Sequence, residues 1–165
     1  MKRILFSFCL IAGLMSALYA QLYTGGYKSF NDSAFSKGDK ILAPKILFTL
    51  SGGSRVLPEC EDSVKIIADF LNEHPEMCIE IGVHTDYHGA DEFNDTISYH
   101  RAGSVKEVLV GLFEIDPTRI EIKGYGKQQP LISKEEIDAV QSKEMQETMH
   151  RINRRVEVKI IQIQQ

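Results

Sequence analysis

The segment from Cys78 to Lys123 constrains the fold most. Cys78 to Val83 sets Ile79, Ile81 and Val83 on one face at a period of two, which predicts a strand. Asp86-Tyr87-His88-Gly89 is a loop, and Asp91 can cap a long helix that runs to about Leu112. The core stripe of that helix is Ile97 or Ser98, Ala102, Val105, Leu109 and Leu112. Asp116-Pro117 then turns the chain into another strand, Arg119 to Lys123. Strand–helix–strand crossovers of this kind are right-handed.

The flanking segments extend the unit. Ile46, Phe48 and Leu50 alternate with Leu47 and Thr49 and predict a first strand, broken by Ser51-Gly52-Gly53-Ser54. Pro58 suits the first turn of a helix whose apolar positions are Cys60, Val64, Ile67, Ala68 and Leu71, with Glu59, Glu61 and Asp62 at its positive end. Asn72-Glu73-His74-Pro75 stops it. Gly124-Tyr125-Gly126 reads as a turn, and residues 133–150 as a solvated helix over the sheet edge on Ile137, Val140, Met145 and Met149. Val156, Val158 and Ile160 alternate with Glu157 and Lys159 as a last strand, whose charged residues, with Arg155, read as its solvated side. The order βαβαβ(α)β predicts an α+β fold: a two-layer mixed β-sheet with helices on one face. The 165 residues, 43% hydrophobic and 25% charged, suit one such domain and exclude a largely disordered or multi-span membrane chain.

The chain opens with Met1-Lys2-Arg3, an almost entirely apolar run from Ile4 to Tyr19, and Ala20, the layout of a secretory signal. The expected organisation is a signal peptide over 1–20, a flexible leader over 21–40 carrying Tyr23, Tyr27, Phe30 and Phe35, and one domain over 41–163. The formal charge of −4 becomes −6 once Lys2 and Arg3 are removed, and with no basic tract nucleic acid is not an expected partner. Cys60 and Cys78 remain after cleavage at opposite ends of one predicted helix, roughly 22 Å apart for some fifteen residues. That is beyond disulfide reach, so both are expected free and at least half buried.

The polar residues converge after the second strand. It ends in His84-Thr85-Asp86, and Asn94, Ser98 and Arg101 follow at i, i+4 and i+7 on one helical face. A carboxylate at the strand end and a guanidinium on the next helix can border one cleft. A purely structural ion pair is the commoner fate of such residues. Metal ligation by His84, Asp86 and His88 is disfavoured, because a lone H-x-x-x-H in a loop lacks the helix that aims both rings. No G-x-S-x-G occurs, and Ser98 reads as a packing or ligand-contacting hydroxyl.

His84-Thr85-Asp86, Gly89, Asn94, Ser98, Arg101-Ala102 and Val105 together resemble the signature of the OmpA C-terminal-like peptidoglycan-binding domain family. Phe48, Leu57-Pro58, Arg119-Ile120, Gly124-Tyr125-Gly126 with Pro130, and Asn153-Arg154-Arg155-Val156-Glu157 continue the resemblance in order, over about Leu42 to Ile161. Val83 stands where many members have a glycine before the histidine, and Ser133 to Ile152 is longer than in many members. The resemblance implies non-catalytic binding of the peptidoglycan stem peptide through diaminopimelate, whose free end is an ammonium beside a carboxylate. Asp86 would accept from the ammonium and Arg101 would grip the carboxylate bidentately. Asn94 and Thr85 would supply neutral hydrogen bonds, and Arg154 would reach the same cleft. No cofactor and no metal are implied. The expected location is the periplasm, with association to the outer membrane or a protein partner there left open. Two other classes stay open: a membrane-tethered scaffold or stator-type subunit if residues 4–20 are uncleaved, and a secreted metal-dependent enzyme.

Overall fold

The computed structural model describes residues 26–49 and 52–164. The expected signal peptide and the start of the leader lie outside the described residues. Four strands and four α-helices follow in the order β1 (Lys40–Leu42), α1 (Glu61–Glu73), β2 (Met77–His84), α2 (Asp91–Gly111), β3 (Ile120–Gly126), α3 (Lys134–Asp138), α4 (Lys143–Asn153) and β4 (Val156–Ile163). The sheet order is β1-β4-β2-β3, with β2 parallel to β3 and β4 antiparallel to both β1 and β2. This is the α+β fold with a mixed sheet that the element order predicts. Among the described residues no helix is long and apolar enough to cross a membrane.

Period-two patterning places Ile79, Ile81 and Val83 of β2 beside Ile160, Val158 and Val156 of β4, all buried in the main core. The stripes of α1 (Val64, Ile67, Ala68, Leu71) and α2 (Ala102, Val105, Leu109) bury into the same core. α1 starts from a 3₁₀ turn, Pro58–Cys60, whose proline needs no donor at a helix start. Cys60 and Cys78 are free and buried, as the helix length requires. Helix α2 approaches β3 closely at Gly124, where a Cβ would lie 2.4 Å from the Tyr99 backbone nitrogen. Ser98 fixes this contact: its hydroxyl accepts from the Gly126 N–H at 3.0 Å and donates to the Asp95 carbonyl. It is therefore a packing hydroxyl.

Several sequence expectations are corrected. The strand expected over Ile46–Leu50 is not a sheet strand among its described residues. Thr49 donates to Arg55 and Leu57 to Leu47, which pairs the segment locally around a Phe48–Val56 bridge. One edge of the main sheet is instead the three-residue β1. Gly124-Tyr125-Gly126 is the end of β3, not a turn. The residue before α2 is Ala90, so Asp91 lies inside the first turn rather than capping it. The expected helix over 133–150 is two helices, each capped by serine: Ser133 in a capping box with Glu136, and Ser142 accepting from Met145. They enclose a second small core of Ile132, Ile137 and Met149.

The described part of the 21–40 segment lies against the domain. Lys28 bridges Ile41, and the rings of Phe30 and Phe35 meet Phe70 edge to face at 5.4 and 5.1 Å. Tyr27 reaches the far face of the sheet, where the expectation of a solvated strand side fails. Glu157 is 2% exposed and Arg155 9%. Glu157 pairs with Arg155 Nη2 at 2.6 Å and Lys40 at 2.9 Å, and accepts from the Tyr27 hydroxyl. The reason is local: Gly82, opposite Glu157, has no side chain, and Tyr125 lies across the gap with its ring stacked on His84 at 4.5 Å. Burial, then the bond to Glu157, pushes the Tyr27 hydroxyl up to about 12.

Candidate functional site

The site is built where three segments meet: the loop after β2, the start of α2, and the junction of α4 with β4. The Asp86 side chain turns back on its own loop. Oδ1 accepts from the His88 backbone N–H at 2.9 Å and meets His88 Nδ1 at 3.0 Å. Oδ2 is held by Arg154 Nη1, delivered from 68 residues along the chain because β4 lies beside β2 in the sheet. Burial works against the ionised form of Asp86. The His88 backbone, Arg154 and the His88 ring outweigh it and hold the carboxyl below its ordinary range.

Arg154 is a bridge. Its second terminal nitrogen pairs with Glu147, about two turns back on α4. Burial lowers its pKa and the two carboxylates more than restore it, leaving it raised. Asn94, 5% exposed, donates both amide hydrogens to the loop, to the His88 carbonyl at 2.7 Å and the Ala90 carbonyl at 2.9 Å. It fixes the loop that presents Asp86, and its amide has no donor left for a ligand. Thr85 is buried, and its backbone N–H donates to the Gly126 carbonyl while its hydroxyl has no partner among the described residues.

Arg101 stands apart from this cluster. Its Nε donates to the Gly53 carbonyl at 3.1 Å and its guanidinium carbon lies 5.0 Å from the Phe48 ring centroid. No ion pair joins it to Asp86 in the structure, so the structural ion pair weighed from the sequence is made by Arg154 instead. Burial lowers the Arg101 pKa, and the nearby charge of Asp86 only partly offsets it. Among the described residues its two terminal nitrogens take no acceptor.

Arg101 and Arg154 line one cleft of about 570 Å³, with Arg151 and Lys45 also on its wall. Leu42, Ile46, Phe48 and Ile152 make its floor apolar. Arg155, held by Glu157, is the fifth cationic residue of the lining, and this set over an apolar floor suits a carboxylate-bearing ligand with an aliphatic body. Asp86 does not line the cleft directly; it stands behind Arg154. The structure thus groups Asp86, Asn94 and Arg154, sets Arg101 at the cleft beside them, and leaves Thr85 buried behind.

The histidines divide. His84 faces the sheet interior, 3.4 Å from Glu157, and burial lowers its pKa. It cannot join Asp86 and His88. Instead His150 of α4 comes to the loop, and the ligating atoms of Asp86, His88 and His150 all lie within 4.8 Å of one another. Neither His150 nor Glu147 was legible as part of the site. They sit in the Lys-, Glu- and Gln-rich segment whose weak pattern reads as solvated.

Over 78 residues the chain is 40% identical to outer membrane porin F of Pseudomonas fluorescens, a match covering 47% of this chain and 24% of the relative. It is 34% identical over 77 residues to the peptidoglycan-associated lipoprotein of Legionella pneumophila, covering 47% of this chain and 41% of that protein. The chain thus spans less than half the length of these curated relatives. Among solved structures, the peptidoglycan-associated lipoprotein from Burkholderia pseudomallei superposes at a TM-score of 0.52 with 19% identity, over 72% of this chain and 89% of that one. A periplasmic domain of Helicobacter pylori MotB gives 0.59 with 19% identity, over 79% and 86%. At these identities the likeness is one of fold. The sequence profile of the OmpA family matches residues 50–156, from the edge of the 46–57 pairing through both site helices to the first residue of β4, and the chain belongs to the OmpA family.

Proposed function

We propose that this chain is a non-catalytic peptidoglycan-binding module that anchors or organises the cell envelope, with diaminopimelate in the stem peptide as its ligand. The carrying observation is the charge order along the site: the Asp86 carboxylate, the Arg154 guanidinium that bridges it to Glu147, and the Arg101 fork with both terminal nitrogens unused among the described residues. A ligand end that is both ammonium and carboxylate complements that order. Its ammonium takes Asp86, and its carboxylate takes Arg101 with Arg154 turning from Asp86 to the same anion. The apolar cleft floor takes the aliphatic stem. Asn94 acts by holding the 86–90 loop, and Thr85 contributes from behind through its hydroxyl. Membership of the OmpA family and the names of its lipoprotein relatives support this reading.

The proposal includes export by residues 1–20, the 21–40 leader and a domain over 41–163, acting in the periplasm near the outer membrane. A non-enzymatic role agrees with the site, where the buried Ser98 hydroxyl is committed to backbone groups.

Sedimentation with purified sacculi tests the site. Asp86→Ala and Arg101→Ala should each weaken binding at least tenfold, since a charged contact left unpaired costs roughly 2–5 kcal/mol. Arg101→Lys should rescue only in part, because an ammonium cannot reproduce the bidentate grip. Thermal melts on the same proteins separate lost binding from lost fold. Undiminished sedimentation of a folded Asp86→Ala, Arg101→Ala double variant would refute the assignment.

A further inference from the structure

The geometry points to a divalent-metal site of the zinc class formed by Asp86, His88 and His150, sharing the Asp86 carboxylate with the peptidoglycan clamp. The three side chains come from two separate segments, the loop after β2 and helix α4, and the fold brings their ligating atoms within 4.8 Å of one another. The two imidazole rings lie 4.4 Å apart between centroids, tilted by 50°. Two imidazoles and one carboxylate with a fourth position open is a ligand set that zinc-class ions accept. Ligand atoms around a tetrahedral ion sit about 3.4 Å apart for bonds of 2.0–2.2 Å, so the site needs a closure of roughly an ångström. The His88 side chain, 69% exposed, is free to make it.

Three local features prepare the site. His150 Nδ1 is inaccessible to solvent and has no hydrogen-bond partner among the described residues, an imidazole nitrogen that ligation would satisfy. His88 Nδ1 already faces Asp86 Oδ1 at 3.0 Å, so a cation entering there replaces the proton between them. The neutral ring then carries its proton on Nε2 and presents the Nδ1 lone pair. Arg154 stays on Oδ2 as an outer partner that orients the carboxylate, and Glu147 beside it offsets the guanidinium charge. The sequence alone could not show this arrangement, because His84, the partner suggested by the H-x-x-x-H spacing, turns to Glu157.

Because the metal and a ligand ammonium need the same carboxylate, occupancy by the metal opposes ligand binding. This last consequence rests on the proposed function; the metal site itself does not. The test titrates the metal-stripped, purified chain with Zn²⁺ by calorimetry and with Co²⁺ by visible absorption. One equivalent should bind, with the visible bands of low-symmetry Co²⁺. His88→Ala and His150→Ala should each weaken binding at least tenfold, since even loss of an outer partner costs 10–100-fold, while His100→Ala on the exposed face of α2 should not. No uptake, or uptake that neither His88→Ala nor His150→Ala changes, would overturn the site. In the second arm, Zn²⁺ should reduce sacculus sedimentation of the unaltered chain, and His150→Ala should respond to Zn²⁺ no more than to Mg²⁺. Zn²⁺ bound at these residues with undiminished sedimentation would overturn the shared carboxylate. If the chain sediments under no condition, the function proposal fails and the metal titration still decides the site.

Discussion

Glu157→Gln is the most informative single change to the fold. Glu157 holds a cation on each side, Arg155 at 2.6 Å and Lys40 at 2.9 Å, and is 2% exposed. His84 lies 3.4 Å away, yet burial lowers its pKa, so the counter-charge comes from Arg155 and Lys40 rather than from the imidazole. Glutamine keeps the volume and an acceptor for Tyr27 but leaves the Arg155 guanidinium, 6% exposed, without a counter-ion. Removing one partner of a buried pair costs about 3–5 kcal/mol. The lower end applies here, because Lys40 is 33% exposed and can turn to water. At about 2–4 °C per kcal/mol for a chain of this size, a loss of about 3 kcal/mol lowers Tm by roughly 6–12 °C at pH 7. The pH profile gives the second readout. Burial raises the Glu157 pKa, but His84, Arg155 and Tyr27 outweigh it and hold the carboxyl well below the ordinary glutamate range. Its stabilisation is therefore fully present above about pH 4.3, the unfolded value, and is lost as pH falls toward the folded-state value. Thermal unfolding followed by circular dichroism from pH 7 to pH 3 should show the two proteins converging as acid is added. Equal Tm values at pH 7, or a gap that widens in acid, would refute the reasoning.

Two further changes test other joints of the fold. Gly124→Ala puts a methyl 2.4 Å from the Tyr99 backbone nitrogen and forces α2 from β3, so urea unfolding should show a loss of about 1–3 kcal/mol. Asn153, fully buried, accepts from the Leu131 and Ile132 N–H groups and donates to the Ile132 carbonyl. Asn153→Ala strands these backbone groups at about 1–3 kcal/mol, and hydrogen exchange should rise at residues 131–132 and along α4 before it rises in β2.

What the sequence discloses depends on how far apart the cooperating residues lie. Helices α1 and α2 and strands β2 and β4 have enough turns or alternations for their period to emerge, and their core-facing residues are the expected ones except Leu112, which follows the end of α2 and is 53% exposed. β1 is three residues long and has no period to read. The alternation of Ile46 and Phe48 is real but belongs to an extended segment packed on the core, since burial alternates along any extended chain and does not say which strand it pairs with. The same holds for Glu157. Alternation assigns it to the face away from the helices, and only the missing side chain of Gly82, the ring of Tyr125 and the return of Tyr27 make that face an interior.

The site divides along the same line. Asp86, Asn94 and Arg101 fall on consecutive elements, so their spacing alone places them near one another. Their division of labour is settled by distant chain. β4 enters the sheet between β1 and β2, which carries Arg154 to Asp86 and α4 to the loop. Arg154 then takes the ion pair that spacing alone would give to Arg101, and Arg101 keeps its fork for the cleft. An aspartate and an arginine fifteen residues apart would ordinarily be expected to neutralise each other; here a second arginine prevents it. The proposed zwitterion clamp makes use of that separation. Under the proposed function the ligand has one pair to open, Asp86 with Arg154, and it meets Arg101 with both terminal nitrogens still without an acceptor among the described residues.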